Sequence, residues 1–327
     1  MKLFWNHLPE PFFAMAPMKD VTDVAFRALI AKHGKPDVFW TEFVSADGLY
    51  HTAAPLLRDL QFSADEHPIV AQIFSSKPEM IAHATKLIAE LGFDGVDINM
   101  GCPDCAIEKQ GSGAAMIKNP KLAIKLIQVA KEASSLPVSI KTRVGYNKES
   151  LDEWLPVLLE ADPAAITIHL RTRKELSLVP ANWEFMKKAV AIRNKINPKV
   201  LLIGNGDVAS IGKGKRLAEE TGCDGIMIGR AVFGNPWVFE GLSRLNLDDS
   251  DLRFNLGNPR EHGLDEKLVS LLELAQNFEK INPPKSFALL KKHIKAFVTG
   301  FSGASALRAK LMEANSSADL EQIIKNT

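Results

Sequence analysis

The sequence predicts an α/β fold, a (β/α)8 TIM barrel followed by a small C-terminal all-helical segment. Three observations predict it. Short apolar runs alternate with stretches of helical period eight times between residues 12 and 242, and such barrels take about 250 residues. The runs are continuously apolar rather than alternating, as suits parallel strands covered on both faces. No Gly-x-Gly-x-x-Gly follows the first run, which disfavours a doubly wound dinucleotide-binding sheet.

Taken in order, Phe12–Ala16 is the first strand, ended by Pro17-Met18, with Asp20 or Thr22 capping a helix that stops at Gly34. Val38–Phe43 is the second strand, and an irregular connection runs on to about Asp65. Ile69–Phe74 is the third, before a helix with Pro78 near its start and a stop at Gly92. Gly95–Met100 is the fourth; it breaks at Gly101 before Cys102 and Pro103. A helix from Asn119-Pro120 to Ala133 leads to the fifth strand, Val138–Lys141, and its helix Leu151–Ala161. Ala165–His169 is the sixth, with a helix from Trp183 to Asn194, and Val200–Asn205 the seventh, with a helix over Lys215–Thr221. Gly225–Gly229 is the eighth, followed by a short helix near Pro236–Leu242.

The barrel is therefore expected over residues 1–242, a polar linker over 243–264 and a helical domain over 265–327. In that last part Leu268, Leu271, Leu272, Ala275 and Phe278 keep helical spacing, as do Leu289, Ile294, Phe297 and Val298, with Asn282-Pro283-Pro284 between.

Composition narrows the class. The 327 residues are 46% hydrophobic and 24% charged, with a formal net charge of +1, as in ordinary globular proteins. With no global excess of positive charge, a nucleic acid would have to be held by a local patch. The three cysteines, Cys102, Cys105 and Cys223, are too few for a secreted disulfide scaffold. The first ten residues carry no signal-peptide core, and no apolar run nears the roughly 20 residues of a membrane span. A cytoplasmic protein without a membrane partner is expected.

Barrel enzymes gather their chemistry at the C-terminal ends of the strands. Here those ends supply Pro17-Met18, Gln72, Asn99 and Cys102, Lys141-Thr142-Arg143, His169 and Arg171, Gly204–Asp207, and Gly229-Arg230. A lone Cys is as readily a small buried hydrophobe as a catalyst. Gly206 and Gly229 can serve tight turns, or can present backbone N–H groups to a phosphate after the two strands where barrel phosphate sites lie. Lys141 and His169 on adjacent strands can neutralise negative charge at the pyrimidine end of a reduced flavin. Cys102 and Cys105 form a Cys-x-x-Cys pair, but no second pair completes a zinc site, so no metal is expected.

The run Asp97-Ile98-Asn99-Met100-Gly101-Cys102-Pro103, with Ile107 and Gly113-Ala114, resembles the signature of the tRNA-dihydrouridine synthases. The resemblance covers nearly the whole chain, through Ala16-Pro17-Met18, Gln72, Lys141-Thr142-Arg143, His169, Asn205-Gly206-Asp207 and Gly229-Arg230, and on into the tail at Lys292-His293, Gly300 and Leu307-Arg308. It implies a flavoenzyme that uses FMN, re-reduced by NADPH or NADH, to saturate the C5–C6 bond of a uridine in tRNA. It also implies that Pro17, Met18, Lys19, Gln72, Lys141, His169, Asn205, Gly206, Asp207, Gly229 and Arg230 hold FMN, with Cys102 as proton donor. Asn99 and Arg143 would face the substrate. The chain departs from the pattern at Leu170, where many members carry glycine, and in the loop Glu175–Pro180.

A thiol with an ordinary pKa near 8.5 keeps its proton at neutral pH and can act as an acid. A uridine in folded tRNA must be extruded to reach the floor of a barrel. From Lys280 to Lys310 the charged residues are Lys280, Lys285, Lys291, Lys292, Lys295, Arg308 and Lys310, with no Asp or Glu between. That run is either a solvated helix face or an RNA surface, with Lys291, Lys292, Lys295 and Arg308 as its contacts. The alternatives are a flavin barrel acting on a small pyrimidine or enone, and a non-catalytic RNA-binding barrel. A monomer that does not bind DNA is expected.

Overall fold

The computed structural model describes residues 4–51, 53–242 and 262–326. Its strands are β1 (Phe12–Met15), β2 (Phe39–Trp40), β3 (Val44–Ser45), β4 (Ile69–Phe74), β5 (Gly95–Met100), β6 (Val138–Arg143), β7 (Ala165–His169), β8 (Leu201–Asn205) and β9 (Gly225–Ile228). All pair in parallel, in the order β1-β9-β8-β7-β6-β5-β4-β2, with β3 added beside β4. A parallel bridge from Ala14 to Val38 joins β1 to the chain entering β2 and closes the ring. The fold is a (β/α)8 barrel.

Both faces of the strands are packed, which explains the continuous apolar runs. Phe12, Ala14, Trp40, Val70, Ala165, Ile203 and Met227 fill the interior, with Trp5 against Trp40 at a ring distance of 6.0 Å. The alternate residues Phe13, Met15, Ile69, Ile98, Ile140 and Ile228 face the helices. Those helices are α1 (Val24–His33), α2 (Ala46–His51), α3 (Ala53–Asp59), α4 (Pro78–Glu90), α5 (Cys105–Lys109), α6 (Pro120–Ala133), α7 (Leu151–Glu160), α8 (Glu184–Ile196) and α9 (Ile211–Thr221). In the C-terminal segment follow α10 (Leu264–Glu279), α11 (Lys291–Phe297), α12 (Ala304–Leu311) and α13 (Ser317–Lys325).

Several expected details change. The cap of α1 is Asp23, whose carboxylate accepts from Phe26 N at 3.1 Å, rather than Asp20 or Thr22. Thr22 Oγ1 instead accepts from Met18 N at 2.9 Å, and Asp20 adopts a left-handed φ of 56°. The second strand is split into β2 and β3, and the connection after it holds α2 and α3, whose shortness hides their period. Pro236–Leu242 forms successive turns, such as Glu240 N to Trp237 O, and no helix. This stretch crosses α1 so closely that a Cβ on Gly34 would lie 2.3 Å from Glu240 N. The expected linker falls outside the described residues over 243–261.

The C-terminal helices lie against the first barrel helix. Leu268, Leu271, Leu274, Ala275 and Phe278 of α10 are buried in the same apolar cluster as Phe26, Leu29 and Ile30 of α1. His293 of α11 packs between Phe26 and Phe233, at ring distances of 4.8 and 5.4 Å. Among the described residues no helix is long and apolar enough to cross a membrane.

One fully buried ion pair pins α1 to the chain before β4. Arg27 meets Glu66, and its guanidinium also donates to Thr22 O at 2.6 Å. Removing one partner strands a buried charge, so Glu66→Ala is expected to cost about 3–5 kcal/mol of unfolding free energy in urea. A loss below about 1 kcal/mol, the value of a surface pair, would contradict this.

Candidate active site

Parallel strands closed into a ring bring their C-terminal ends to one rim, and two adjoining cavities open there. The larger, about 250 Å³, is walled by Pro17 and Met18, Lys141 and Arg143, His169 and Arg171, Asn205 to Asp207, and Gly229-Arg230. The smaller, about 160 Å³, is walled by Phe43, Gln72, Asn99 and Cys102. Pro17, Lys141, Arg143 and His169 face both. The rim residues expected from the sequence lie on one cavity or the other except Gly204, which faces Trp183, and Lys19, whose ammonium turns away to Asp59 at 2.7 Å. Lys291, Lys292, Lys295 and Arg308 belong to the C-terminal helices and wall neither cavity. Arg308 donates to Val298 O at 2.8 Å. Within the basic run, Lys285 is no surface charge: its side chain is buried against Glu42.

A hydrogen-bond chain through the barrel interior sets the cysteine loop. The Asp97 carboxylate accepts from Ser139 Oγ at 2.6 Å and from Gln72 Nε2 at 2.7 Å. Gln72 Oε1 accepts from Asn99 Nδ2 at 3.0 Å. Asn99 Oδ1 then accepts from Gly101 N at 3.1 Å and Cys102 N at 2.9 Å. Burial pushes the Asp97 carboxyl up to about 6, against the pull of its two hydrogen-bond donors.

The loop is held from above as well. Ala114 N donates to Cys102 O at 2.9 Å, and Arg143 Nε donates to Gly101 O at 2.8 Å. Gly113 has a φ of 61°, and a Cβ there would lie 2.6 Å from Cys102 O. Only glycine fits. Burial raises the Cys102 thiol above its ordinary pKa, so it carries its proton at neutral pH.

The other half of the site is a cluster of cations. Lys141 Nζ donates to Asn205 Oδ1 at 3.0 Å, while Asn205 Nδ2 donates to Met227 O at 2.8 Å. Burial brings Lys141 down to about 8, with the charge of Arg143 pushing the same way and Asp97 opposing. Burial, followed by the charges of Lys141, Arg143 and Arg171, holds His169 at about 2, so its ring is neutral. Its Nδ1 is buried without a hydrogen-bond partner among the described residues. Asp207 is the acid of this half. It accepts from Arg171, Arg230 and Ala181 N, and the Arg171 bond first, then the Ala181 N–H and the charges of the two arginines, hold it down at about 2.

Arg171 and Asp97 carry more of the site than their sequence positions suggested. Arg171 lies two residues beyond the end of β7 and was visible on the rim; nothing local shows that its guanidinium enters the cavity. Asp97 stands in the cysteine motif itself, but its role depends on Gln72, which is 25 residues away. Among the described residues no cluster of His, Cys, Asp or Glu could hold a metal ion.

The sequence profile described as dihydrouridine synthase matches residues 14–327. The chain belongs to the dihydrouridine synthase family. Among the relatives it resembles, a Staphylococcus aureus protein named "Probable tRNA-dihydrouridine synthase" is 41% identical, over 98% of this chain and 94% of its own length. A Bacillus subtilis protein named "Probable tRNA-dihydrouridine synthase 2" is also 41% identical, over 98% and 95%. Two solved structures share the fold at low identity. One is a 2-naphthoyl-CoA reductase complex, with a TM-score of 0.56 and 10% identity over 71% of this chain and 50% of that one. The other is a histamine dehydrogenase from a Rhizobium species, with a TM-score of 0.52 and 10% identity over 81% and 48%. The chain thus spans about half the length of both structures.

Gly113→Ala is expected to lower unfolding free energy by about 1–3 kcal/mol, since it combines a strained φ with a clash on the Cys102 carbonyl. An unchanged urea midpoint would mean that the loop does not need this approach.

Proposed function

We propose that the protein is a tRNA-dihydrouridine synthase that binds FMN and reduces the C5–C6 double bond of a uridine in tRNA. The observation that carries this reading is the pairing of the two cavities: a cationic, donor-rich one adjoins one walled by a protonated thiol. The donor set suits FMN. Lys141, Arg143, Arg171 and Arg230 are all cations on the cavity walls, and the orphaned Nδ1 of His169 wants a partner such as a flavin ring atom. When bound and reduced by NADPH or NADH, FMN would supply the hydride for uracil C6.

The chain's own residues then have separable tasks. Arg230, with the turns at Gly206-Asp207 and Gly229, holds the phosphate. Lys141 offsets negative charge at the pyrimidine end of the flavin, and neutral His169 contributes hydrogen bonding without charge. Pro17, Met18 and Gln72 would wall the flavin, while Asn99 fixes the cysteine loop and would face the uracil. Cys102 gives its proton to C5; the thiolate left behind is beside Arg143 and takes a proton back from water. Arg143 donates to Gly101 O, Thr172 O and Leu176 O, so it ties the loops around the substrate together. Lys291, Lys292, Lys295 and Arg308 would grip the RNA backbone while the uridine is extruded into the barrel.

The reading is tested by visible flavin absorbance in the purified protein, and by mass spectrometry of tRNA from cells with and without it. Loss of the nucleoside weighing uridine plus two hydrogens supports the tRNA enzyme. A colourless protein that takes up no FMN, or unchanged tRNA, would overturn it. Cys102→Ala should bind FMN as the parent does and lose about 10²- to 10⁴-fold in uridine reduction, measured in single turnover. FMN affinity should fall as pH rises through about 8, because Lys141 loses its charge there and not near 10.5 as a free lysine would. Titrations at successive pH values that show a flat affinity would exclude Lys141 as the cationic anchor.

A further inference from the structure

The cavity wall Pro17-Met18 belongs to a short loop after β1, and its anchors lead out of the barrel. Asp20 sits at a φ of 56°, a conformation that a non-glycine residue holds only when its surroundings fix it. Its backbone N–H donates to Glu42 Oε1, and Glu42 is fully buried. A buried carboxylate stays ionised only beside a cation. That cation comes from the C-terminal segment: Lys285 Nζ lies 2.7 Å from Glu42 Oε2, 3.3 Å from Asp59 Oδ1 and 3.7 Å from Asp23 Oδ2. The Lys285 side chain is only 2% exposed. Asp59 also receives Lys19 of the same loop, at 2.7 Å. Three buried carboxylates from the barrel thus converge on one ammonium supplied from outside it: Glu42 and Asp59 hold the loop and Asp23 flanks it.

We propose that Lys285 is a positioning residue for the active-site loop: by neutralising Glu42 it keeps that carboxylate in place as acceptor for the Asp20 N–H, and so sets the Pro17–Met18 wall. The inference rests on the flavin reading for its consequence in function, but not for its structural content. The C-terminal segment then shapes the pocket directly, in addition to any contact it makes with RNA. Without Lys285, Asp59 keeps Lys19 and Arg58 beside it, but Glu42 loses the cation that pairs with it, and it must take up a proton or swing away. Either change weakens the hold on Asp20 and lets its strained backbone relax.

Hydrogen-exchange mass spectrometry on the full chain tests this without reference to flavin. In Lys285→Met the amides of residues 18–22 should exchange at least about tenfold faster, with the C-terminal helices little changed. Glu42→Gln, which weakens the acceptor itself, should loosen the same segment, and the double variant should be no looser than Glu42→Gln alone. Unchanged exchange at 18–22 in a folded Lys285→Met protein, or acceleration spread evenly over the C-terminal helices, overturns the proposal. Should Lys285→Met fail to fold, Glu42→Gln decides: normal exchange at 18–22 in that variant refutes it. FMN titration of the same proteins is the second readout, and Lys285→Met should bind FMN about tenfold more weakly. A parent protein that takes up no FMN would sink the flavin reading, and the exchange data would still decide this one.

Discussion

The site depends on closure of the sheet. β1 pairs with β9 on one side and, through the Ala14–Val38 bridge, with the entry to β2 on the other. That bridge leaves the ring no free edge and forces all the strand ends onto one rim. Gln72, Asn99, Lys141, His169, Asn205 and Arg230 span about 160 positions of sequence, and nothing but ring closure brings them to the same pair of cavities.

Once they are gathered, burial decides their protonation. The same low dielectric raises the Asp97 carboxyl and the Cys102 thiol and lowers Lys141 and His169. The result is a division of labour: a thiol that keeps its proton at one end, and a neutral imidazole among fixed cations at the other. Asp207 escapes the trend because Arg171 and Arg230 both bind it, and it remains an anion that orients the two guanidiniums.

The C-terminal helices act on this rim from outside. Lys285 reaches Glu42, the acceptor for the Asp20 N–H in the loop after β1, and α11 reaches the turn after β9. His293 stacks on Phe233, and a Cβ on Gly234 would lie 2.3 Å from Ala296 O. Two of the loops that wall the larger cavity are therefore tied to the C-terminal segment. The shared apolar core between α1 and α10 makes that contact part of the fold rather than a loose tether.

Much of this was legible in the sequence, because strands, their ends and their breakers are local signals. Pro120 and Ala133 bound α6 where the Asn119-Pro120 cap and the period placed them, and β5 ends at the Gly101-Cys102-Pro103 break. The cysteine motif even carried its own packing logic, since Gly113 must be glycine to pass the Cys102 carbonyl. Short helices such as α2 and α3 were not legible, because a turn or two shows too little period. Long, flexible cations were the other failure. A lysine's local sequence does not say where its ammonium ends, and Lys19 went to Asp59 rather than to the cavity. Lys285, one of an apparently solvated run, went into the barrel's buried acids, and Arg171 turned inward between His169 and Asp207. Backbone period and residue chemistry were enough to read the barrel, its rim and the place of Cys102 at the lip of β5 from the chain alone, because each is a local signal. Which charges meet was settled by folding, because a buried ion pair is chosen by partners distant in sequence that share one pocket of low dielectric.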